Sequence, residues 1–88
     1  MLLFVLAGPA LGGPFEDGVK AYAKGDYGAP ARVILKAANA GHIDAQANLG
    51  VLYELGRGLK RNHMLAAAWY RKAAERGQVA AQYNLGLK

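Results

Sequence analysis

The fold of this chain is decided by residues 41–77, GHIDAQANLGVLYELGRGLKRNHMLAAAWYRKAAERG. Two helix-forming runs, at about residues 43–55 and 63–76, flank a turn at residues 56–58 that holds two glycines in three positions. Closely spaced glycines favour a turn over a continuous helix. Asn62 stands where its side chain can cap the second run by accepting a hydrogen bond from an exposed backbone amide. The stretch therefore predicts a pair of helices joined by a tight turn.

The first helix of this pair is predicted to have two different sides. Apolar residues spaced three and four apart favour one buried side. That side carries Ala45, Leu49, Leu52, Tyr53 and Gly56. The opposite side carries Asp44, Ala47, Asn48, Val51 and Glu54. Gly50 is unusual here, because glycine inside a helix costs about 1 kcal/mol relative to alanine, and we expect close approach of a neighbouring helix to compensate.

The second helix is predicted to bury an apolar stripe while its charged residues point outward. The stripe consists of Ala66, Trp69, Tyr70, Ala73 and Ala74. An aromatic pair such as Trp69 and Tyr70 can also stack on a nucleic-acid base or a sugar. Core packing is the preferred interpretation, because each such ring buries roughly 150–250 Å², which a small alanine-rich domain needs.

Helical signals continue on both sides of the central stretch. Residues 15–24 predict a short helix. Asp26 is expected to cap a second helix that runs to about residue 40, with Pro30 near its start, where a missing amide costs little. Residues 78–88 begin a further helix. No segment alternates apolar and polar residues convincingly, so no strand is expected.

The chain repeats itself at an offset of 36 residues, which places Gly41 over Gly77 and residues 48–50 over residues 84–86. Further identities at this offset are Ala37-Ala38 with Ala73-Ala74, Ala45-Gln46 with Ala81-Gln82, Lys36 with Lys72, and Ala31 with Ala67. A fixed period of this length is the signature of a repeat architecture. One helix pair cannot bury its own apolar side, so neighbouring pairs are expected to stack.

The repeated unit resembles the Sel1-like repeat (SLR) family, a subclass of the tetratricopeptide-type (TPR-like) α-solenoids. The resemblance rests on the Leu-Gly pair at 49–50, Tyr53, the Gly-x-Gly turn at 56–58, and Trp-Tyr-x-x-Ala-Ala-x-x-Gly at 69–77. Leu59 stands where the family usually has valine, and Asn62 stands where it usually has aspartate. The resemblance implies an all-α fold of antiparallel helix-turn-helix repeats in a short right-handed superhelix.

This pattern divides the chain into one helical-repeat domain, residues 15–88. Residues 15–40 are interpreted as a degenerate unit, residues 41–76 as a complete repeat and residues 77–88 as an incomplete repeat. Fewer than three repeats are usually marginal, and terminal repeats normally carry a polar cap. We therefore expect a longer repeat array, a dimer that covers the C-terminal end, or a poorly ordered C-terminus.

Residues 1–14 differ from the rest of the chain. The apolar run at residues 2–7 is followed by small residues and prolines, which is typical of the end of a secretory signal peptide. The run lacks a preceding Lys or Arg and is shorter than the roughly 7–15 residues expected, and a start site placed too far downstream explains both defects. It is also too short to cross a membrane, which takes about 20 residues. We expect a periplasmic or secreted protein; the alternative is a cytoplasmic protein with a disordered or packed apolar tail.

The residues that usually carry catalysis are missing or isolated. The 88 residues include no cysteine, serine or threonine, which removes the common covalent nucleophiles. His42 and His63 each lack a further ligand at a metal-binding spacing. We therefore expect no catalytic residue, no cofactor and no metal site.

The balance of charge is basic, with eleven Lys and Arg against six Asp and Glu and a net charge of +5. A basic surface attracts phosphates, acidic proteins or anionic lipids. The preferred interpretation is a solvated helix exterior.

The family resemblance implies a non-catalytic scaffold or adaptor that binds a protein or peptide on the concave face of the solenoid. Members with signal peptides are commonly exported bacterial proteins. The candidate contact residues are Asp44, Asn48, Val51, Glu54, Tyr83, Asn84 and Leu87. An alternative of equal weight is that Val51 and its neighbours simply pack between repeats.

Two other classes of function stay open from the sequence. One is an enzyme-type role in the cell envelope, of the β-lactamase-like kind reported for cysteine-rich relatives. The other is an electrostatic binder of nucleic acid or anionic lipid, which rests on the net charge alone.

Overall fold

The computed structural model describes residues 24–86 and shows an all-α chain. Its four helices are α1 (Gly28–Asn39), α2 (Ile43–Leu55), α3 (His63–Glu75) and α4 (Val79–Leu85), and no strand lies within the described range. The predicted boundaries of α1, α2 and α3 are confirmed to within a residue or two. The apolar run at residues 2–7 and nearly all of the helix predicted at 15–24 lie outside the described residues, as do residues 87–88.

The helices stack in chain order. Helix α2 packs against both α1 and α3, α3 packs against α4, and α2 also contacts α4. Two small cores result. The first lies between α1 and α2 and consists of Ala31, Ile34, Ala38, Ala45, Leu49 and Leu52. The second joins α2, α3 and α4 and consists of Ala47, Val51, Ala66, Tyr70, Ala73, Ala74 and Ala81.

The joint between successive units recurs in atomic detail. Gln46 donates a hydrogen bond from Nε2 to the carbonyl oxygen of Ala38 (3.3 Å), and Gln82 donates the equivalent bond to Ala74 (3.1 Å). Gly41 and Gly77, which occupy the same position in this joint, have φ of +99° and +88°. Glycine adopts that left-handed conformation without the steric cost of a Cβ. The sequence period therefore corresponds to a structural repeat.

Two further contacts tie one unit to the next. Arg76 donates from Nη1 to the carbonyl oxygen of Gly41 at 2.7 Å. Gln78 donates from Nε2 to Oδ1 of Asp44 at 3.1 Å. Because the partners lie 35 and 34 residues apart, these bonds connect the joint between α3 and α4 to the start of α2 and the joint before it.

The predicted helix caps divide into one that is confirmed and one that is wrong. Asn62 caps α3, with its side chain accepting from the amide of Leu65 at 3.0 Å. Asp26 does not cap α1, which has Tyr27 at its N-cap and no side-chain cap bond. The helix starts one residue later than an Asp26 cap requires, and Tyr27 already has helical backbone angles, φ −91° and ψ −13°.

The predicted packing of Trp69 is only partly correct. Trp69 is half-buried and packs against the first core rather than lying fully inside it. Lys72 lies one turn further along α3, with Nζ 5.1 Å from the centre of the indole ring. The stripe of α3 that is fully buried is Ala66, Tyr70, Ala73 and Ala74.

Candidate functional site

The structure buries two of the predicted contact residues. Asn48 is 0% exposed and Val51 is 1% exposed, so their predicted place on an accessible face is wrong. Val51 packs in the second core, where α3 and α4 cover that side of α2. Every residue of α2 from Ala45 to Leu52 is buried, because neighbours close on the helix from both sides. The alternative of packing between repeats is the correct one for Val51.

The other predicted contact residues within the described range reach the surface to different degrees. Asp44 is exposed near the start of α2 and accepts the hydrogen bond from Gln78. Glu54 is half-buried near the end of α2. On α4, Tyr83 is 36% exposed and Asn84 is half-buried. Leu87 lies outside the described residues. We call the accessible set Asp44, Glu54, Tyr83 and Asn84 the α2–α4 surface.

Tyr70 links this surface to the core. Its side chain extends from α3 across α2, and a Cβ on Gly50 would lie 2.5 Å from two carbons of the ring. The close approach predicted at Gly50 is thus confirmed, and the neighbour is an aromatic ring. Tyr70 is 2% exposed, and its hydroxyl is buried without a hydrogen-bond partner in the described part of the chain.

The surroundings of the Tyr70 hydroxyl are polar. Burial raises the pKa of Tyr70 well above its ordinary value of 10.0, the Glu54 carboxylate raises it further, and the Asn84 amide opposes the rise. Polar groups from α2 and α4 therefore influence the Tyr70 hydroxyl, which is itself buried beneath the α2–α4 surface. Sequence reasoning placed Tyr70 only in the core.

Charge is segregated between the helices. Helices α2 and α4 contain no Lys or Arg, and their charged residues are Asp44 and Glu54. Helices α1 and α3 carry most of the helical positive charge, at Arg32, Lys36, Arg71 and Lys72, all exposed. The helical part of the α2–α4 surface thus carries two carboxylates, at opposite ends of α2, and no Lys or Arg. Assigning each charge of the sequence to its helix would have revealed this pattern.

Two pairs of large side chains are exposed, one on α4 and one at the start of α3. The pair on α4 is Val79, which is 72% exposed, and Tyr83, which follows one turn later. At the start of α3, Met64 is 84% exposed and Leu65 is 41% exposed. Sequence reasoning named neither Val79 nor Met64 as a surface feature, because helix periodicity does not show which neighbour is present to cover a side chain.

Within residues 24–86, no group of three or more His, Cys, Asp and Glu side chains could hold a metal ion. No helix in that range is long and apolar enough to cross a membrane.

Stacked helix pairs with a recurring joint define this chain as an all-α helical-repeat protein. The Sel1 repeat profile matches residues 43–78 and again residues 79–88, which together are more than half of the chain. The chain belongs to the Sel1 repeat family.

One curated relative is the chitin synthase regulator SKT5 of Saccharomyces cerevisiae, which is 55% identical to this chain over 40 residues. The matched segment covers 46% of this chain and 6% of the yeast protein. No solved structure matches this chain at a significant level.

Proposed function

We propose that this chain is a non-enzymatic adaptor that binds a protein or peptide through the α2–α4 surface. Membership of the Sel1 repeat family supports an interaction role, and the yeast relative is named as a regulator. The observation that carries the choice of surface is that α2 and α4 are in contact and leave the ring of Tyr83 exposed.

The side chains of this surface suit a peptide ligand. An exposed aromatic ring supplies apolar contact area at low entropic cost, and aromatic residues are enriched among the anchors of protein interfaces. The amide of Asn84 can both donate to and accept from a peptide backbone. The carboxylate of Glu54 can only accept. An extended segment that carries donors and one apolar residue would match the Glu54 carboxylate and the Tyr83 ring.

A selection from a random peptide library tests the proposal and does not require the partner to be identified first. The purified chain is immobilised, and bound peptides that soluble chain competes away are sequenced. We expect a small set of related peptides whose binding is lost in Tyr83→Ala and kept in Ala68→Ser, since Ala68 is exposed on α3. If soluble chain competes away no bound peptide, the adaptor role is contradicted. Hydrolysis of nitrocefin by the chain would support the β-lactamase-like alternative and contradict a non-enzymatic role.

A second candidate function has its own observation. Arg32, Lys36 and Arg71 are exposed on α1 and α3, which favours the electrostatic binder of nucleic acid or anionic lipid. Binding of that kind falls steeply with salt, because each neutralised phosphate releases a counterion. A ligand bound by these residues would therefore dissociate when the salt concentration is raised from low to physiological. A peptide on the α2–α4 surface would stay bound.

Export of the chain is a separate proposal. It is supported by the apolar run at residues 2–7 and the small residues after it. Expression with the upstream in-frame codons, followed by N-terminal sequencing of the product outside the cytoplasm, tests it. A product that stays cytoplasmic with an intact N-terminus would contradict export.

A further inference from the structure

We propose that the side of α4 formed by Val79 and Tyr83 binds an α-helix of a partner protein, and that this helix presents a row of small side chains like that of α3. We call Val79 and Tyr83 the open side of α4. The inference rests on the proposed function, because it uses the Tyr83 ring of the α2–α4 surface and names a helix as a class of partner. Three observations support it: the repeat register, the exposure of the two residues and the lack of charge on α4.

The first observation is that α4 repeats α2. The 36-residue offset places Val79 over Ile43 and Tyr83 over Ala47. In α2 these two positions, one turn apart, face the second core, which α3 helps to build: Ala47 belongs to that core and Ile43 packs against it. A helix of the α3 type is therefore the neighbour that this side of the repeated helix takes.

The other side of α4 is already placed as the repeat requires. Ala81 lies at the position of Ala45, and both are 0% exposed. Ala45 is buried in the core shared with α1, and Ala81 is buried in the core shared with α3. Because α4 meets α3 as α2 meets α1, the open side of α4 corresponds to the side of α2 that meets α3.

The second observation is the exposure of the open side. Val79 is 72% exposed, whereas Ile43 at the equivalent position is half-buried. Tyr83 is 36% exposed, whereas Ala47 is 0% exposed. Residues four apart on a helix are neighbours, so the two side chains form one contact row. Burying apolar surface of this kind against a partner is favourable, at roughly 25 cal/mol per Å².

The third observation is that α4 contains no Lys, Arg, His, Asp or Glu. A partner that covers α4 therefore removes no charged side chain of that helix from water, which would be costly. The exposed residues of α3 are different, since they include Arg71, Lys72 and Glu75. Depletion of charge is what distinguishes the core of an interface from the rest of a protein surface.

The size of Tyr83 determines which side chains the bound helix carries. Because Tyr83 stands where α2 has the small residue Ala47, its ring needs a small residue opposite it. Packed helices lie about 8–10 Å apart, depending on the side chains between them. Helix α3 shows a suitable pattern, with alanines at three of its four buried positions, Ala66, Ala73 and Ala74.

The joint between units adds a polar contact to this prediction. Arg76, at the end of α3, donates from Nη1 to the carbonyl oxygen of Gly41 at 2.7 Å. Gly77 stands at the position of Gly41 in the next joint. An arginine at the C-terminal end of the bound helix would be placed to donate to the Gly77 carbonyl, and a cation is also favourable at that end of a helix.

A peptide copied from α3 is the probe for this site. Residues 63–76 are synthesised as a helix stapled between positions 68 and 72, which are exposed in α3, because an isolated helix of this length is marginal in water. The full ¹⁵N-labelled chain is titrated with it. We expect saturable binding with the largest amide shifts at Val79 and Tyr83, and no binding of a control peptide that carries Ala73→Glu. Equal binding of both peptides, or shifts centred on α2, would overturn the proposal.

Matched variants of the chain assign the binding to the open side. Val79→Ser removes the most exposed apolar contact of α4 and is expected to weaken binding of the stapled peptide about tenfold. Valine and serine have similar helix propensities, so the fold is retained. Met64→Ser makes a similar change at a residue of α3 that is 84% exposed, and it is expected to leave binding unchanged. With both variants folded by circular dichroism, equal losses would overturn the site.

The library selection separates failure of this inference from failure of the adaptor role. If the stapled peptide does not bind while the library yields peptides that soluble chain competes away, the helix site is removed and the adaptor role is retained. If the library yields none while the stapled peptide binds and Val79→Ser weakens it, the adaptor role is removed and the helix site is retained.

Discussion

At the scale of single residues, the contact between Gly50 and Tyr70 determines how closely α2 and α3 approach. The glycine has no side chain, and the ring occupies the space that a Cβ would take. This contact was foreseeable from sequence in part, because glycine inside a strongly helical run needs a compensating close approach. The identity of the neighbour was not foreseeable, since periodicity shows which side of a helix is apolar but not which ring covers it.

Replacing Gly50 with alanine should destabilise the fold. The new methyl group would lie 2.5 Å from the Tyr70 ring, and overpacking of this kind typically costs about 1–3 kcal/mol. Chemical denaturation followed by circular dichroism measures the change in the free energy of unfolding. Gly28→Ala is the matched control, because a Cβ there meets its nearest atom at 3.8 Å. An unchanged midpoint in Gly50→Ala would contradict the close packing.

Replacing Tyr70 with phenylalanine should stabilise the chain and reduce its sensitivity to alkali. An unsatisfied buried hydroxyl costs about 1–3 kcal/mol, and the phenylalanine ring can still fill the space over Gly50. In the unfolded wild type the phenol ionises near its ordinary pKa of 10.0, whereas the folded chain keeps it protonated to higher pH. The contribution of this group to the free energy of unfolding of the wild type should therefore not change with pH below 10, and the wild type should lose stability as the pH rises above 10.

Thermal melts between neutral pH and pH 11 check the alkaline effect. We expect the melting temperature of Tyr70→Phe to fall less steeply above pH 10 than that of wild type. Tyr83→Phe removes a phenol that is partly exposed at the surface and serves as the control. Parallel curves for wild type and Tyr70→Phe would show that the Tyr70 hydroxyl does not control alkaline unfolding.

At the scale of the helix, sequence patterns located α1, α2 and α3 well and failed on the environment of α2. Caps and glycines are local signals, so the ends of the helices followed from residues such as Asn62 and Gly56. Burial is not local. The sequence pattern predicts an open side for Asn48, because it lies opposite Leu49 and Tyr53, yet Asn48 is fully buried. The recurring bonds of Gln46 and Gln82 were visible as a repeated pair, but only the structure shows their carbonyl partners.

Removing the cap of α3 should weaken the central repeat. Asn62→Ala leaves the amide of Leu65 without its side-chain acceptor, and loss of such a cap costs about 0.5–2 kcal/mol. Asn62→Asp keeps an acceptor in the same place and is expected to retain stability. Urea denaturation of the two variants distinguishes them, and equal losses in both would contradict a capping role.

At the scale of the whole molecule, the two kinds of helix have different surfaces. Helix α2 carries only acidic charge and α4 carries none, whereas α1 and α3 carry the exposed Lys and Arg side chains of the described helices. Net charge calculated from composition concealed this arrangement, because it averages over both sets. The sequence did supply the repeat, and with it the family. It could not supply the influence of Glu54 and Asn84 on the Tyr70 hydroxyl, which depends on how three helices cross.

The central claim is that the α2–α4 surface is the interaction surface of this Sel1 repeat chain. The most direct measurement is amide chemical-shift mapping of the ¹⁵N-labelled chain with a peptide taken from the library selection. We predict that the largest shifts fall within residues 43–55 and 79–85, with Glu54 and Asn84 among them. Shifts concentrated in residues 28–39 and 63–75, on the basic helices, would contradict the claim.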